Sequence, residues 1–264
     1  MSGPTIGIVG GQGRMGAWFK DFFEKAGFHV LVADLGTDLT PPTLAERSEV
    51  VVLSVPIAVT EEVAREVGPR VREGGLLMDL TSNKTAPLRA MLESSRCEVV
   101  GAHPLFGPRE DSIRGRRVVL CKGRGERWFD WLKTLLEGMG AVIRVTTPEH
   151  HDRLMSAVQG LTHLNTLALA AAVRELGFDL EELDAYATTS FSHLRPQITR
   201  TLRQDAQMIA SILTLNPEVL AAVTALEDQI ARMKRLVEHG DFSACSRLIQ
   251  ELRGHFRVEP EGLN

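Results

Sequence analysis

Cysteine is scarce in this chain of 264 residues. Its three cysteines, Cys97, Cys121 and Cys245, lie far apart and form no Cys-x-x-Cys pair. Because disulfide frameworks and thiolate metal sites need clustered cysteines, neither is expected, and no metal site is predicted. Scattered thiols are typical of a protein kept in a reducing compartment, so the predicted location is cytoplasmic.

Long apolar runs and an excess of positive charge are also missing. No stretch stays apolar for the roughly 20 residues that a bilayer-spanning helix needs. The chain passes from Met1 almost directly into Ile6-Gly7-Ile8-Val9, which leaves no room for a signal peptide. The formal net charge is -4, with both signs mixed along the chain. We therefore expect neither a membrane nor a nucleic acid as a partner.

Short runs rich in β-branched residues alternate with helical periodicity up to about Val145. This alternation predicts an α/β fold whose N-terminal part is a Rossmann-type, doubly wound and mostly parallel sheet with helices on both faces. The predicted strands cover residues 6–9, 30–33, 50–54, 76–80, 99–101, 118–120 and 142–145, and the predicted helices cover 14–26, 59–67, 85–93 and 127–139.

The pattern changes after Thr146. Strand-like runs disappear, and helical periodicity continues over residues 155–176, 194–213, 217–238 and 242–256. Thr147 followed by Pro148 is a helix start signal, with an N-cap residue and then proline at the first helical position. We therefore predict two domains, a Rossmann domain over residues 1–147 and an all-α domain over residues 148–264.

Residues 164–173 are apolar on nearly every side of a helix. A helix of this kind is buried either between neighbouring elements of its own chain or across a contact between subunits. The sequence leaves both interpretations open.

A glycine loop follows the first predicted strand and precedes the first predicted helix. It fits the GxGxxG pattern, in which the first glycine permits a tight turn, the second admits a pyrophosphate and the third lets helix and strand pack closely. The loop therefore predicts a dinucleotide-binding site formed by Gly11, Gln12, Gly13, Arg14, Met15 and Gly16.

Asp34 ends the second predicted strand, about twenty residues beyond the loop. A carboxylate at this position hydrogen-bonds the adenosine ribose hydroxyls and repels the extra phosphate of NADP. The predicted cofactor is therefore NAD.

Ligands of open parallel sheets bind beyond the carboxyl ends of the strands, and three further segments fall there. Ser54, Val55 and Pro56 follow the third strand and are predicted to contact the cofactor. The second segment covers residues 79–84. In the third, His103 stands in a loop stiffened by prolines, which makes it a candidate general base near neutral pH.

Together, the glycine loop, the Asp-x-x-Ser-x-Lys stretch at residues 79–84 and His-Pro-Leu-Phe-Gly-Pro at residues 103–108 resemble the prephenate dehydrogenase family. The similarity runs from about Thr5 to Phe256 and includes Val-Gln-Gly-Leu-Thr-His at residues 158–163. The resemblance implies an NAD-dependent oxidative decarboxylation of prephenate to 4-hydroxyphenylpyruvate, CO2 and NADH, a step of tyrosine biosynthesis. It also implies a homodimer formed through the helical domain.

The resemblance assigns roles to the site residues. His103 would accept the proton of the ring hydroxyl, and Ser82 would hydrogen-bond His103 and orient it. Arg200 would bind a substrate carboxylate, with Arg195 or His193 as alternatives. The remaining predicted substrate-binding residues are His163, Lys84 and Gln159. His163 also suits a satisfied position in the core, and Lys84 also suits either anchoring its own loop or a solvated position.

One departure from the family bears on the substrate. Some relatives carry a second arginine shortly before the equivalent of Arg200, where this chain has Phe191-Ser192-His193. Arogenate and 4-amino-4-deoxyprephenate are therefore alternative substrates. A fused chorismate mutase or regulatory domain is not expected in a chain of this length.

Two other classes of function compete with this interpretation. A β-hydroxyacid dehydrogenase would share the layout, but the resemblance to that group requires a lysine early in the helical domain, and none occurs between Lys133 and Lys234. The other is a non-catalytic NAD-binding protein, since a fold does not guarantee activity.

Overall fold

The computed structural model describes residues 3–259. The described residues divide into two compact units, unit 1 ending at Val219 and unit 2 beginning at Leu220. Unit 1 is built on a seven-stranded sheet with the strand order β2-β1-β3-β4-β5-β6-β7. Its neighbouring strands are parallel except for the antiparallel pair β5 and β6. The strands are β1 (Ile6–Val9), β2 (Val30–Ala33), β3 (Val50–Leu53), β4 (Leu76–Asp79), β5 (Glu98–Pro104), β6 (Arg117–Arg124) and β7 (Val142–Thr146).

The central strands are buried on both faces, which explains their continuous apolar sequences. Side chains alternate along a strand, so Val50 and Val52 enter one hydrophobic cluster while Val51 and Leu53 enter the other. The flanking helices are α1 (Arg14–Lys25), α2 (Pro41–Glu46), α3 (Ile57–Val67), α4 (Thr85–Ser94) and α5 (Arg127–Gly138), and a short 3-10 helix covers Gly68–Arg70. The predicted fold class is confirmed.

The rest of unit 1 is helical. It contains α6 (Pro148–Met155), a π-helix (Ser156–Leu161), α7 (Thr162–Glu175), α8 (Leu180–Asp184), α9 (Thr189–Leu202) and α10 (Ala206–Leu215). α6 begins as predicted, because the Thr147 hydroxyl accepts the His150 N–H and Pro148 opens the helix. α6 packs against α4 and α10 packs against α3, which joins this helical region to the sheet layer. The predicted domain boundary after residue 147 lies inside unit 1 and stays a prediction.

Two predicted helices differ from the structure. The helix predicted over residues 194–213 is divided into α9 and α10, because the Asp205 side chain accepts the Met208 N–H and starts a new helix. The apolar segment from residue 164 to residue 173 is not an enclosed core helix in the single chain, where Thr166 alone is buried within it.

Unit 2 consists of most of α11 (Glu218–Glu238) and of α12 (Phe242–Phe256). An ion pair between Arg232 and Glu251, 3.6 Å apart, joins the two helices. No residue of α12 is buried. Within residues 3–259, no single helix combines the length and apolar character needed to cross a membrane.

Candidate active site

The glycine loop connects β1 to α1 in a conformation that requires glycine at particular positions. Gly10 has a φ of 81°, in the left-handed region that favours glycine. A Cβ atom on Gly16 would lie 2.1 Å from the Gly10 carbonyl oxygen. The structure corrects one assignment: the tight turn, predicted at Gly11, lies at Gly10. Gly11 is needed instead for packing, since a Cβ there would lie 2.6 Å from the Val32 side chain.

The start of α1 faces this turn. Its N-cap residue is Gly13, and no side chain caps the helix. The N–H groups of the first turn are therefore not used by a cap, and the positive end of the helix dipole points toward the loop. Gln12, Gly13 and Arg14 are exposed, whereas Met15 packs against the hydrophobic core. This arrangement fits an anionic group such as a pyrophosphate.

Asp34 connects the end of β2 to the glycine loop. Its Oδ2 atom accepts the Gln12 N–H at 2.7 Å, and its Oδ1 atom accepts the Leu35 N–H at 2.7 Å. A carboxylate has about four lone-pair sites, so acceptor capacity remains for ribose hydroxyls. The position of Asp34 is therefore compatible with its predicted contact to the cofactor.

The loop after β3 borders the same turn. The Ser54 N–H donates to the Val9 carbonyl at 2.8 Å, and a Cβ on Gly10 would lie 2.5 Å from the Ser54 carbonyl oxygen. Ser54 and Val55 are half-buried, and Pro56 is exposed at the start of α3. The predicted cofactor-binding segments thus lie together at the carboxyl edge of the sheet.

A buried chain of three hydrogen-bonded side chains lies at the end of β5, and His103 belongs to this strand rather than to the predicted loop. His103 Nδ1 is 2.9 Å from His151 Nε2, and His151 Nδ1 is 2.8 Å from Asp152 Oδ1. His103, His151 and Asp152 are only 3%, 1% and 2% exposed. This degree of burial means that the two contacts within the chain replace hydrogen bonds to solvent.

The surroundings of this chain set its charges. Burial, followed by the electrostatic effects of His151 and Lys84, holds the pKa of His103 well below its ordinary value of 6.5, against an opposing contribution from Asp152. Burial would raise the pKa of Asp152, but hydrogen bonds from His151, Thr85 and Lys84 outweigh it and lower that pKa. His103 is therefore neutral at neutral pH and Asp152 is ionised.

Lys84 lies in the interior rather than facing a substrate. Its ammonium group donates to the Asp79 carboxylate and, at 2.8 Å, to the Ala102 carbonyl oxygen. Both side chains of the Lys84–Asp79 pair are fully buried. The predicted substrate contact of Lys84 is therefore corrected: the lysine anchors its own loop against β4 and β5, which is one of the alternatives considered from the sequence.

Ser82 does not orient His103 in this structure. The hydroxyl of Ser82, which is half-buried, makes no hydrogen bond to His103 among the described residues, and Nδ1 of His103 is taken by His151. His151 and Asp152 were not predicted. The one signal for them was a pair of histidines followed by an aspartate just inside a capped helix, and His103 and His151 lie 48 positions apart in the sequence.

The predicted substrate residues of the helical region form a second group. His163 is half-buried, and its Nδ1 atom is buried without a hydrogen-bond partner among the described residues. Burial and the positive charge of Arg200 lower the pKa of His163, and the helices that carry these two residues, α7 and α9, pack against each other. Gln159 is half-buried in the π-helix.

The structure also separates the candidate arginines. Arg195 Nε lies 3.1 and 3.2 Å from the two carboxylate oxygens of Asp184, so its charge is already paired. Arg200 is exposed and makes no ion pair with any described residue, and His193 is exposed. This favours Arg200 as the binding group for a carboxylate. Within residues 3–259, no cluster of three or more His, Cys, Asp or Glu side chains could hold a metal ion.

Comparison with known proteins identifies two matching family models. The model described as "Prephenate dehydrogenase, nucleotide-binding domain" matches residues 26–145. The model described as "Prephenate dehydrogenase, dimerization domain" matches residues 147–252. The two matches cover both the sheet and the helical region that follows it.

Curated relatives agree with these matches. The chain is 33% identical, over 97% of its length, to a protein of Methanocaldococcus jannaschii named "Probable arogenate/prephenate dehydrogenase", and it covers 61% of that protein. It is 31% identical, over 91% of its length, to the T-protein of Enterobacter agglomerans, of which it covers 64%. A 4-amino-4-deoxyprephenate dehydrogenase of Streptomyces pristinaespiralis is 29% identical, with 94% of this chain and 89% of that protein covered. The chain thus spans less than two thirds of the first two relatives.

Solved structures show the same fold. Prephenate dehydrogenase from A. aeolicus, in complex with hydroxyphenyl propionate and NAD+, superposes with a TM-score of 0.78 at 22% identity, covering 98% of this chain and 99% of that chain. Synechocystis arogenate dehydrogenase gives a TM-score of 0.74 at 17% identity, with 96% and 99% covered.

Proposed function

Because the chain belongs to the prephenate dehydrogenase family, we propose that it catalyses the oxidative decarboxylation of prephenate to 4-hydroxyphenylpyruvate and CO2 with NAD+ as oxidant. The observation that carries this proposal is the state of His103. Its buried imidazole is neutral and lies at the carboxyl edge of the sheet, the edge that also carries the glycine loop. A neutral imidazole in this position is suited to accept a proton near neutral pH.

The proposed reaction uses His103 as the base. Bound NAD+ supplies the acceptor for a hydride. His103 accepts the proton of the ring hydroxyl group as the hydride leaves the carbon that carries this hydroxyl. The ring carboxylate is then lost as CO2, its bonding electron pair makes the ring aromatic, and the resulting phenolate oxygen takes the proton back from His103.

We assign Arg200 to the binding of a substrate carboxylate. Its unpaired charge and its proximity to His163 support this assignment, since a planar guanidinium binds carboxylates through two parallel hydrogen bonds. His163 and Gln159 are assigned to the same pocket. The buried, unpartnered Nδ1 of His163 is available to a polar group of a ligand.

We infer that NAD is preferred to NADP. The carboxylate of Asp34, fixed by the N–H groups of Gln12 and Leu35, would repel a phosphate on the adenosine ribose. Dissociation constants for NAD+ and NADP+, measured by titration calorimetry, test this preference. Binding NADP+ as tightly as NAD+ would contradict it.

Prephenate is the substrate we favour. Arogenate and 4-amino-4-deoxyprephenate are the alternatives, because relatives of this chain are named for these substrates. All three molecules carry the ring carboxylate, which Arg200 can bind. Prephenate and arogenate also carry the ring hydroxyl whose proton His103 would accept, whereas 4-amino-4-deoxyprephenate carries an amino group there and would lose its proton from nitrogen. The three substrates should be compared side by side through NADH formation in the near ultraviolet. We expect the highest kcat/KM for prephenate, and a higher value for either amino analogue would reassign the substrate.

The competing functions have less support. The 33% identity to an arogenate/prephenate dehydrogenase favours this chemistry over that of a β-hydroxyacid dehydrogenase, and the missing lysine between Lys133 and Lys234 agrees with this. A non-catalytic NAD-binding protein has no need of a buried base with a lowered pKa. We keep the cytoplasmic location as a proposal consistent with three free thiols.

We also propose a homodimer formed through the helical region. α11 exposes Ile230, Met233 and Val237, and α12 exposes Ile249, Leu252 and Phe256. In each helix these side chains follow the i, i+3, i+7 spacing that forms one apolar face. The family model that matches this region is described as a dimerization domain, which supports a second copy of the chain as the partner.

A further inference from the structure

We propose that His151 and Asp152 are positioning residues that hold His103 in the one tautomer able to act as a base through Nε2. The inference rests on the proposed function, in which His103 takes the proton of the substrate. The geometry that carries it is the continuous buried chain from His103 Nδ1 to His151 Nε2 at 2.9 Å, and from His151 Nδ1 to Asp152 Oδ1 at 2.8 Å.

The tautomer of each histidine follows from the carboxylate of Asp152, which ends the hydrogen-bonded chain. An ionised carboxylate only accepts hydrogen bonds, so Asp152 requires a hydrogen on Nδ1 of His151. Nε2 of a neutral His151 is then an acceptor, and the short contact to His103 requires a hydrogen on Nδ1 of His103. Nε2 of His103 consequently carries the free lone pair. Without this chain, a neutral imidazole would divide its population between two tautomers, one of which cannot accept a proton at Nε2.

Asp152 is itself held in place by the backbone. Its Oδ1 and Oδ2 atoms accept the N–H groups of Lys84 and Thr85, at the start of α4, at 2.8 and 2.9 Å. Its carbonyl oxygen accepts the side-chain amide of Asn216 at 2.9 Å. The carboxylate therefore has a fixed position and stays ionised, which are the two properties that the proposed chain requires.

The hydrogen-bonded chain also stabilises His103 after it has accepted a proton. When Nε2 of His103 accepts the substrate proton, the resulting imidazolium remains hydrogen-bonded through Nδ1 to His151, and the carboxylate of Asp152 lies beyond it. The buried Lys84 ammonium is already paired with Asp79. Asp152 is therefore the anion through which the hydrogen-bonded chain stabilises the developing positive charge.

Two substitutions of His151 test the proposal, because Asp152 also caps α4 and its loss would disturb folding as well. In His151→Phe the ring volume remains but the acceptor is lost. In His151→Gln the amide oxygen can still accept from Nδ1 of His103. Partners that orient a catalytic histidine contribute roughly 10²- to 10⁴-fold to turnover. We therefore expect His151→Phe to lower kcat by a factor in this range. The kcat of His151→Gln should be at least about tenfold higher than that of His151→Phe.

The control is His150→Gln, which changes an exposed histidine one position earlier on the same helix. We expect its kcat to equal that of the unaltered protein. In all three variants the KM for prephenate and the dissociation constant of NAD+ should stay within about twofold. An unchanged kcat in His151→Phe would overturn the proposal, and so would a loss that a folded His151→Gln fails to restore in any part.

A spectroscopic measurement tests the tautomer without any substrate. Long-range ¹H–¹⁵N spectra of the protein with ¹⁵N-labelled histidine distinguish Nδ1–H from Nε2–H rings, and the signals of His103 are those missing in His103→Asn. We expect His103 to be the Nδ1–H tautomer at pH 7.5. A His103 ring protonated at Nε2 would overturn the inference even if the protein proves to be a prephenate dehydrogenase. Absence of turnover with the Nδ1–H tautomer present would contradict the proposed function instead.

Discussion

At the scale of single residues, the pH dependence of activity depends on His103. Burial, His151 and Lys84 lower its pKa well below 6.5, and the opposing effect of Asp152 does not compensate. The base is active when deprotonated, so activity falls only where the pH drops through this lowered pKa. We predict that the acid limb of kcat/KM for prephenate lies below pH 6.5. A limb centred at or above that value would show that His103 is not the titrating base.

Arg200 offers a second test at this scale. If it binds a substrate carboxylate, Arg200→Ala should raise the KM about 10- to 100-fold with a smaller change in kcat, since a hydrogen bond to a charged group contributes roughly 1.5–3 kcal/mol. Arg195→Ala is the matched control, because Arg195 is paired with Asp184 on the same part of the fold. Steady-state kinetics of both variants decide between them, and a larger KM effect in Arg195→Ala would reverse the assignment.

The site residues differ in how far the sequence predicts them. His103 and Arg200 lie in motifs that resemble a known family, so their candidacy does not require the fold. His151 lies 48 positions from His103, and nothing local to either indicates that β5 and α6 meet. The sequence predicts a substrate contact for Lys84, because a lysine is ordinarily exposed. In the structure this lysine is instead paired with Asp79 inside the protein.

At the scale of elements, the turn between β1 and α1 depends on Gly16. A methyl group there would lie 2.1 Å from the backbone oxygen of Gly10, which cannot move without shifting the loop. We predict that Gly16→Ala lowers the free energy of unfolding by roughly 1–3 kcal/mol and weakens NAD+ binding. Gly74→Ala is the control, since nothing lies within 4 Å of a Cβ at that position. Urea unfolding curves compare them, and equal stability would contradict the packing argument.

Strands were easier to predict than helix breaks. All seven strands overlap the predicted β-branched runs. The signal is clearest in β1, β3 and β4, where burial on both faces leaves a continuous apolar sequence. The break between α9 and α10 depends on one side-chain cap, Asp205, which is indistinguishable in sequence from a solvated aspartate. The six-residue α2 is too short to show a periodicity, and the π-helix (Ser156–Leu161) interrupts a pattern that reads as regular helix.

At the scale of the whole molecule, we predict that the apolar faces of α11 and α12 hold two copies of the chain together. Leu252→Glu places a charge on the exposed face of α12 and should shift the protein toward monomers in sedimentation velocity. Gln250→Glu introduces the same charge on another side of that helix and should leave the dimer intact. Equal sedimentation of both variants with the unaltered protein would show that this face is not the contact.

The central claim is that this chain oxidises and decarboxylates prephenate with His103 as base. The most direct measurement follows NADH and 4-hydroxyphenylpyruvate together, by absorbance and chromatography, after NAD+ and prephenate are added to the unaltered protein and to His103→Asn. We predict equal amounts of the two products and a turnover roughly 10²- to 10⁴-fold lower in His103→Asn, with NAD+ binding retained. Absence of NADH above the spontaneous background, or equal turnover in the two proteins, would contradict the account.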